Sequence, residues 1–305
     1  MKRFIKKTLL FLLPIFVLGF IMELFLRNIS NDYQYKKEYL DQNAHEIETL
    51  ILGSSHAYYG LDPAFFSKKA FNASYISQSL NYDFEILKKY ENHFNNLETL
   101  IIPISYFSFY GDLATDKEAW RIKNYAIYYK INAVNSFTDY SEMLSNNLEI
   151  NIKRLISYYV KQKTNIKCST LGWGTDYNSK NTQDLIETGE SAAKRHSKNN
   201  INLKSNQVIF NRNVVILNSI ISWCESRNVK IIFFTPPAYK TYQKYLNKDQ
   251  LNLTIETITK EVSHHKNCNY LNLLYDSNFT AQDFYDADHL SEIGAKKLSI
   301  KIDKL

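Results

Sequence analysis

A seryl hydroxyl becomes a nucleophile when a base takes its proton, and an imidazole serves as that base when a carboxylate holds its orientation and tautomer. Two segments carry these groups. In Gly53-Ser54-Ser55-His56, two hydroxyls follow the apolar run Thr49-Leu50-Ile51-Leu52 and enter what should be a helix N-terminus, where backbone N–H groups can face a developing oxyanion. In Asp286-Ala287-Asp288-His289-Leu290, a carboxylate stands three residues before an imidazole, just ahead of the last helical stripe. Each segment alone is ordinary, since serine pairs often cap helices and Asp-x-x-His occurs in solvated turns. Their joint occurrence, with the serine ending one strand and the histidine opening the last helix, is what points to nucleophilic chemistry.

The elements that must position these groups read as α/β. Short apolar runs at Ile47–Gly53, Ala70–Ala73, Leu97–Ser105, Val229–Pro237 and Asn269–Tyr275 have strand composition. The runs at 101–104 and 231–234 do not alternate with polar residues, as expected of central parallel strands covered on both faces. Helical stripes lie at Leu80, Phe84, Leu87 and Phe94, at Phe210, Val214, Leu217, Ile221 and Cys224, and at Leu290, Ile293, Gly294, Leu298 and Ile302, the last with Ser291 as its expected cap. More than a hundred residues separate the third and fourth strands, so 106–205 reads as a helical insertion over the carboxyl edge of the sheet. Within it, Leu148, Ile152, Leu155, Ile156 and Tyr159 make one amphipathic helix, and Cys168–Asn200 reads as a loop or lid.

Composition narrows the function further. With 45% apolar and 22% charged residues the chain buries a core, and three widely spaced cysteines exclude a zinc knuckle or a disulfide scaffold. Of the net charge of +6, Lys2, Arg3, Lys6 and Lys7 supply four, which removes the main support for a nucleic-acid partner. Those cations precede Thr8–Leu26, 19 residues with one charge, Glu23, long enough to cross a hydrocarbon layer. The expected organisation is a membrane anchor over 1–30 and a domain over 31–305, extracytoplasmic by the positive-inside rule. The competing reading of the apolar run is a cleaved signal peptide, against which stand its length and the lack of an A-x-A site.

A Gly-x-Ser at the end of the first strand and an Asp-x-x-His-Leu at the last helix are the first and last blocks of the SGNH/GDSL hydrolase superfamily, which the chain resembles from about Ile47 onward. The resemblance implies a flavodoxin-like three-layer α/β sandwich with about five parallel strands, Ser55 as nucleophile, His289 as base and Asp286 as its orienting carboxylate, with no cofactor and no metal. Ser54 stands where the family has Asp. The block that normally carries an oxyanion-hole glycine is Asn72–Ser79 without a glycine, with the donor expected near Ser77. Ser105 stands where the family's second donor, an Asn, is expected. His56 is either a second base or substrate contact, or a packing residue. Asp288 is the alternative orienter. Trp173, between two glycines, is either a platform for a sugar or acyl chain or a core plug. A metal held by His264-His265 with Asp286 and His289 is disfavoured, because a tandem pair directs its side chains apart. Glu23 either contacts a membrane partner or reaches interfacial water.

An anchored Ser/Asp-x-x-His domain also resembles extracytoplasmic proteins of polysaccharide O-acetylation and teichoic-acid D-alanyl transfer, which work beside a multispanning membrane-bound O-acyltransferase. The resemblance implies an esterase or O-acyltransferase acting on cell-envelope polysaccharide or a related acyl ester. The contrasting expectation is a non-catalytic glycan-binding or partner-holding module of the same fold.

Overall fold

The protein's computed structural model describes residues 1–131 and 136–305; positions 132–135 of the expected 106–205 insertion lie outside the described residues. Two compact units emerge, one of Met1–Glu38 with Lys117–Lys167 and one of Tyr39–Asp116 with Cys168–Leu305. The 106–205 excursion is thus shared between them.

The larger unit is built on a five-stranded, wholly parallel sheet: β1 (Thr49–Ile51), β2 (Ala70–Asn72), β3 (Thr99–Pro103), β4 (Lys230–Thr235) and β5 (Cys268–Asn272), in the order β2-β1-β3-β4-β5. This is the α/β class expected from sequence, with the strand order of the flavodoxin-like sandwich that the resemblance implies. Ile51 pairs with Asn72 on one side and Ile101 on the other, so the segments after β1 and β2 leave the sheet at one level, while β3 runs two residues further beside β4. β1 and β2 are wholly buried, as are all but the first residues of β3 and β4. β5 lies at an edge and mixes buried with exposed positions. Ile51, Ile101, Ile232 and Phe234 on one sheet face join Ala57, Leu61, Leu298 and Ile302 in a closed apolar cluster.

The α-helices are α1 (Lys2–Arg27), α2 (Asp32–Asn43), α3 (Ser55–Tyr58), α4 (Leu80–Lys89), α5 (Ile122–Asn124), α6 (Leu148–Leu155), α7 (Glu187–His196), α8 (Lys204–Glu225), α9 (Lys240–Tyr245), α10 (Lys248–Ser263) and α11 (Glu292–Asp303). α4, α8 and α11 lie on the anticipated stripes. Several readings need correction. The stretch 168–200 is not all loop: it contains α7, whose Ala192 and Ala193 are buried. α2 carries no strong apolar signal of the kind that marked the others, whereas α10 does, in Leu251, Ile255, Ile258 and Val262, and was not identified from sequence. Ser291 stands at the N-cap of α11, yet its hydroxyl donates to Gln282 O at 2.9 Å instead of capping the helix.

In the smaller unit, α1 is long and apolar enough to cross a membrane. Tyr33 packs edge-on to Tyr125, with ring centroids 5.3 Å apart. Glu142, almost fully buried, is bound by Lys123, by Arg154 at 2.8 Å and by the Tyr128 hydroxyl at 3.0 Å. α6 forms where its stripe requires, but Leu148, Ile152 and Ile156 face outward rather than into a core.

Candidate active site

Ser55 is positioned by a turn that only glycine fits easily. Gly53 has φ +115°, and a β-carbon there would lie 2.5 Å from Pro103 Cδ. Gly53 N–H donates to Asp83 Oδ1 at 2.8 Å, and Gln78 Nε2 donates to the same oxygen at 2.6 Å. The strand end is thereby tied to α4 and to the loop after β2. Burial raises the Asp83 carboxyl to about 7 against the lowering pull of those two donors. Ser54 takes the N-cap position, its carbonyl accepting from Ala57 and Tyr58 N–H, both at 3.0 Å. Ser55 opens α3 and is partly exposed, whereas Ser54 is buried.

The histidine comes from the loop before α11. Asp286 Oδ1 accepts the backbone N–H of Asp288 at 3.0 Å and of His289 at 2.8 Å, so one carboxylate folds the turn. The same carboxylate lies 3.0 Å from His289 Nδ1 through both oxygens. The far side of the ring, Nε2, is 2.8 Å from Ser55 Oγ across 234 residues of sequence. With Nδ1 facing a carboxylate, the neutral ring carries its proton there and Nε2 accepts from the serine. Ser55, His289 and Asp286 are therefore brought into one hydrogen-bonded chain.

A second acid lies beneath the ring. Asp288 Oδ1 is 3.5 Å from His289 Nδ1, and Oδ2 is 3.7 Å from His56 Nε2, 3.7 Å from His196 Nδ1 and 3.6 Å from an Arg195 nitrogen. Asp288 is buried, and neither oxygen has a hydrogen-bond partner among the described residues. Burial works against its charge, but His289, His56 and His196 outweigh it and hold the acid well below the usual carboxylate range. For His289, burial opposes protonation while Asp286 and then Asp288 favour it, and the balance raises the imidazole to about 9. His196 moves the other way, burial lowering it to about 3.

The remaining predicted residues fall at different distances from this chemistry. His56 is buried, its Nδ1 2.6 Å from Ser105 Oγ. Ser105 is also buried and takes its place in the turn after β3, where its N–H donates to Ser108 Oγ. Ser77 has φ +60°, the left-handed region that glycine adopts freely, two residues after Tyr75, whose N–H is bonded to Gly53 O. Trp173 is half-buried, and its indole N–H donates to Tyr59 O at 2.8 Å. Its neighbour Gly174 donates its N–H to Tyr58 O and lies so close to the Tyr58 ring that a side chain would collide. Trp173 is thus docked on the segment that follows the Gly53–Ser55 turn. His265 bonds Glu225 at 2.7 Å, at the end of α10.

Sequence reasoning missed Tyr177 and His196. Tyr177 stacks between Tyr59 and Tyr285, with centroids 3.7 and 3.8 Å apart, and meets His289 edge-on at 5.4 Å. His196 ends α7, whose start had a legible signal in Asp184, the acceptor for Ile186 and Glu187 N–H. Among the described residues, the group that comes nearest to a cation cage is His56, Asp288 and His289, with one ligand atom each within 4.8 Å of one another. Both nitrogens of His289 are already engaged by Ser55 and Asp286, so a cation there would compete with the hydrogen-bonded chain.

No family model matches the chain, and no curated protein sequence matches it. Among solved structures, one from Streptococcus pneumonia provisionally named a platelet activating factor aligns at TM-score 0.45 and 12% identity, over 89% of this chain and 90% of its own. A second, provisionally named an acylhydrolase from Bacteroides fragilis, aligns at TM-score 0.40 and 10% identity, over 88% of this chain and 93% of its own.

Proposed function

We propose that the protein is a membrane-anchored serine esterase or O-acyltransferase acting outside the cytoplasm on cell-envelope polysaccharide or a related acyl ester. The observation that carries the chemistry is the chain Ser55 Oγ, His289 Nε2, His289 Nδ1, Asp286 at 2.8 and 3.0 Å. In this reading Ser55 Oγ attacks the ester carbonyl while His289 takes its proton and Asp286 holds the ring. The tetrahedral oxyanion is met by backbone N–H in the turn at Ser77. Collapse expels the alcohol, which receives the proton from His289, and leaves an acyl group on Ser55. Water or a sugar hydroxyl then attacks that acyl-enzyme, with His289 again as base. The anchor is α1, with Lys2, Arg3, Lys6 and Lys7 on the cytoplasmic side. A multispanning membrane-bound O-acyltransferase is the partner that would supply the acyl group.

The bonding of Ser105 to His56 favours a second reading, a glycan-binding or partner-holding module. With His56 Nε2 facing the Asp288 anion, Nδ1 is the acceptor and the Ser105 proton is committed to it rather than to an oxyanion. Fluorophosphonate treatment of the full chain separates the two. Adduct on Ser55, lost in Ser55→Ala, supports the enzyme; an unreactive Ser55 in folded protein supports the module.

A further inference from the structure

A helix that packs on water-soluble protein turns its apolar stripe inward. α6 does the reverse. Its inward groups are polar: Asn151 donates to Met143 O at 2.9 Å, and Arg154 to the buried Glu142 at 2.8 Å. Those bonds fix the helix about its own axis and force Leu148, Ile152 and Ile156 outward, 61%, 44% and 42% exposed, with Leu144 and Val160 exposed beyond its two ends. The Glu149–Lys153 ion pair runs along the exposed flank of that stripe.

The same segment is attached along the C-terminal third of α1. Met143 lies against Gly19, 3.6 Å from where a β-carbon would be, and the Tyr159 ring meets Phe25 edge-on while its hydroxyl donates to Phe25 O at 2.9 Å. Between these contacts, Glu23 accepts the Ser141 hydroxyl and the N–H groups of Glu142 and Met143 at 2.7–3.0 Å, besides its pair with Arg27. The one acid within the apolar run is satisfied by this segment. Gly19 stands eight residues before Arg27, about 12 Å along a helix rising ~1.5 Å per residue, close to the ~15 Å half-thickness of a hydrocarbon layer.

We infer that 141–160 is an interfacial element seated in the non-cytoplasmic leaflet beside α1, with the Leu148–Ile152–Ile156 stripe against lipid acyl chains. The inference rests on the reading of α1 as an anchor. Wherever Gly19 and Phe25 lie in a bilayer, Met143 and Tyr159 lie at the same depth, so the exposed stripe between them meets hydrocarbon and the Glu149–Lys153 pair meets headgroups and water. A scan for spans passes over this element, because its helical part, 148–160, is shorter than the ~20 residues a span needs.

The test places the photo-crosslinker p-benzoylphenylalanine singly at Leu148, Ile156 or Val160 of the full chain, in phosphatidylcholine vesicles, with Leu18 and Glu149 as reference sites and lipid adducts read by mass spectrometry. All five are solvent-exposed positions, and three independent stripe sites guard against one variant failing to fold. Lipid adducts at Leu18 and at the stripe, about tenfold above Glu149, are the expected result. Adducts at Leu18 with stripe yields no higher than at Glu149, or protein–protein adducts in place of lipid ones, overturn the inference and leave the anchor standing. No lipid adduct at Leu18 removes the anchor and this inference with it.

Discussion

Glu142 in the smaller unit and Asp288 in the larger are both buried acids ringed by basic groups, and the two are finished differently. Glu142 is held by Lys123, Arg154 and the Tyr128 hydroxyl, all within hydrogen-bonding distance. Asp288 is surrounded by three imidazoles and a guanidinium at 3.5–3.7 Å, and none closes on it. A saturated buried ion cluster is specific and rigid, and its removal leaves uncompensated charge. An unsaturated one acts through its field, shifting the proton affinities of the groups around it. By this comparison Glu142 is structural, and Asp288 tunes His289, the ring that contacts Ser55.

The largest effect expected is on the hydrogen-bonded chain itself. Ser55→Ala should abolish fluorophosphonate labelling, and His289→Ala should slow it by roughly three orders of magnitude or more. Ser54→Ala, at a buried hydroxyl one residue earlier, should leave a measurable rate. Equal losses at Ser54 and Ser55, with both variants folded, would sink the assignment of the nucleophile.

Next comes the saturated cluster. Glu142→Gln should destabilise the smaller unit by about 3–5 kcal/mol, since Lys123 and Arg154 remain with no full counter-charge. Labelling of Ser55 below the unfolding temperature should be unchanged. The comparison breaks if the variant unfolds no more easily than the parent in a denaturant titration.

Asp288 should behave in the opposite way, altering proton affinity more than stability. The imidazole is raised to about 9, so below that pH the base is mostly protonated, and the second-order labelling rate should rise about tenfold per pH unit until it levels near 9. Removing one of the two anions that raise it must lower it. Asp288→Asn should therefore move the midpoint down by about one to two units with the plateau rate kept within about tenfold. Asp286→Asn should lower the plateau itself, because that carboxylate also holds the ring and the 286–289 turn. Superimposable pH profiles for the parent and Asp288→Asn would show that the unsaturated acid tunes nothing.

The contrast also bears on what sequence could reveal. The sheet was legible because uninterrupted runs such as Leu100–Ile104 and Ile231–Phe234 leave no other reading, and Ser55, Asp286 and His289 were legible because each sits where a strand ends or a helix begins. α2 was not, since its tyrosines, lysines and acids leave no apolar period, and α10 was passed over although Leu251, Ile255, Ile258 and Val262 fall on one stripe. His196 and Tyr177 escaped because they reach the site only through tertiary packing of a polar stretch. Asp288 was visible in sequence but its surroundings were not: three histidines drawn from 56, 196 and 289 converge on it only in space. The stripe of α6 was read as amphipathic and no further, because periodicity reports that a face exists and not which medium it meets.

The smallest effect expected concerns Ser77, where the resemblance leads one to expect glycine. A residue with a β-carbon at φ +60° carries a steric cost of about 1–2 kcal/mol that glycine avoids, partly offset by about 0.5–1 kcal/mol of extra freedom in the unfolded glycine chain. Ser77→Gly should therefore leave stability unchanged or raise it by about 1 kcal/mol, and Ser77→Ala, which keeps the β-carbon, should not raise it. The labelling rate adds a separate reading. If the turn contributes through backbone N–H alone, both variants should react within about threefold of the parent, because both keep the amide and the Tyr75 N–H to Gly53 O bond that anchors the turn. A large loss in both would show that the hydroxyl is the donor. Loss in Ser77→Gly alone would show instead that the β-carbon's restriction of the turn, strained as it is, holds the amide in place.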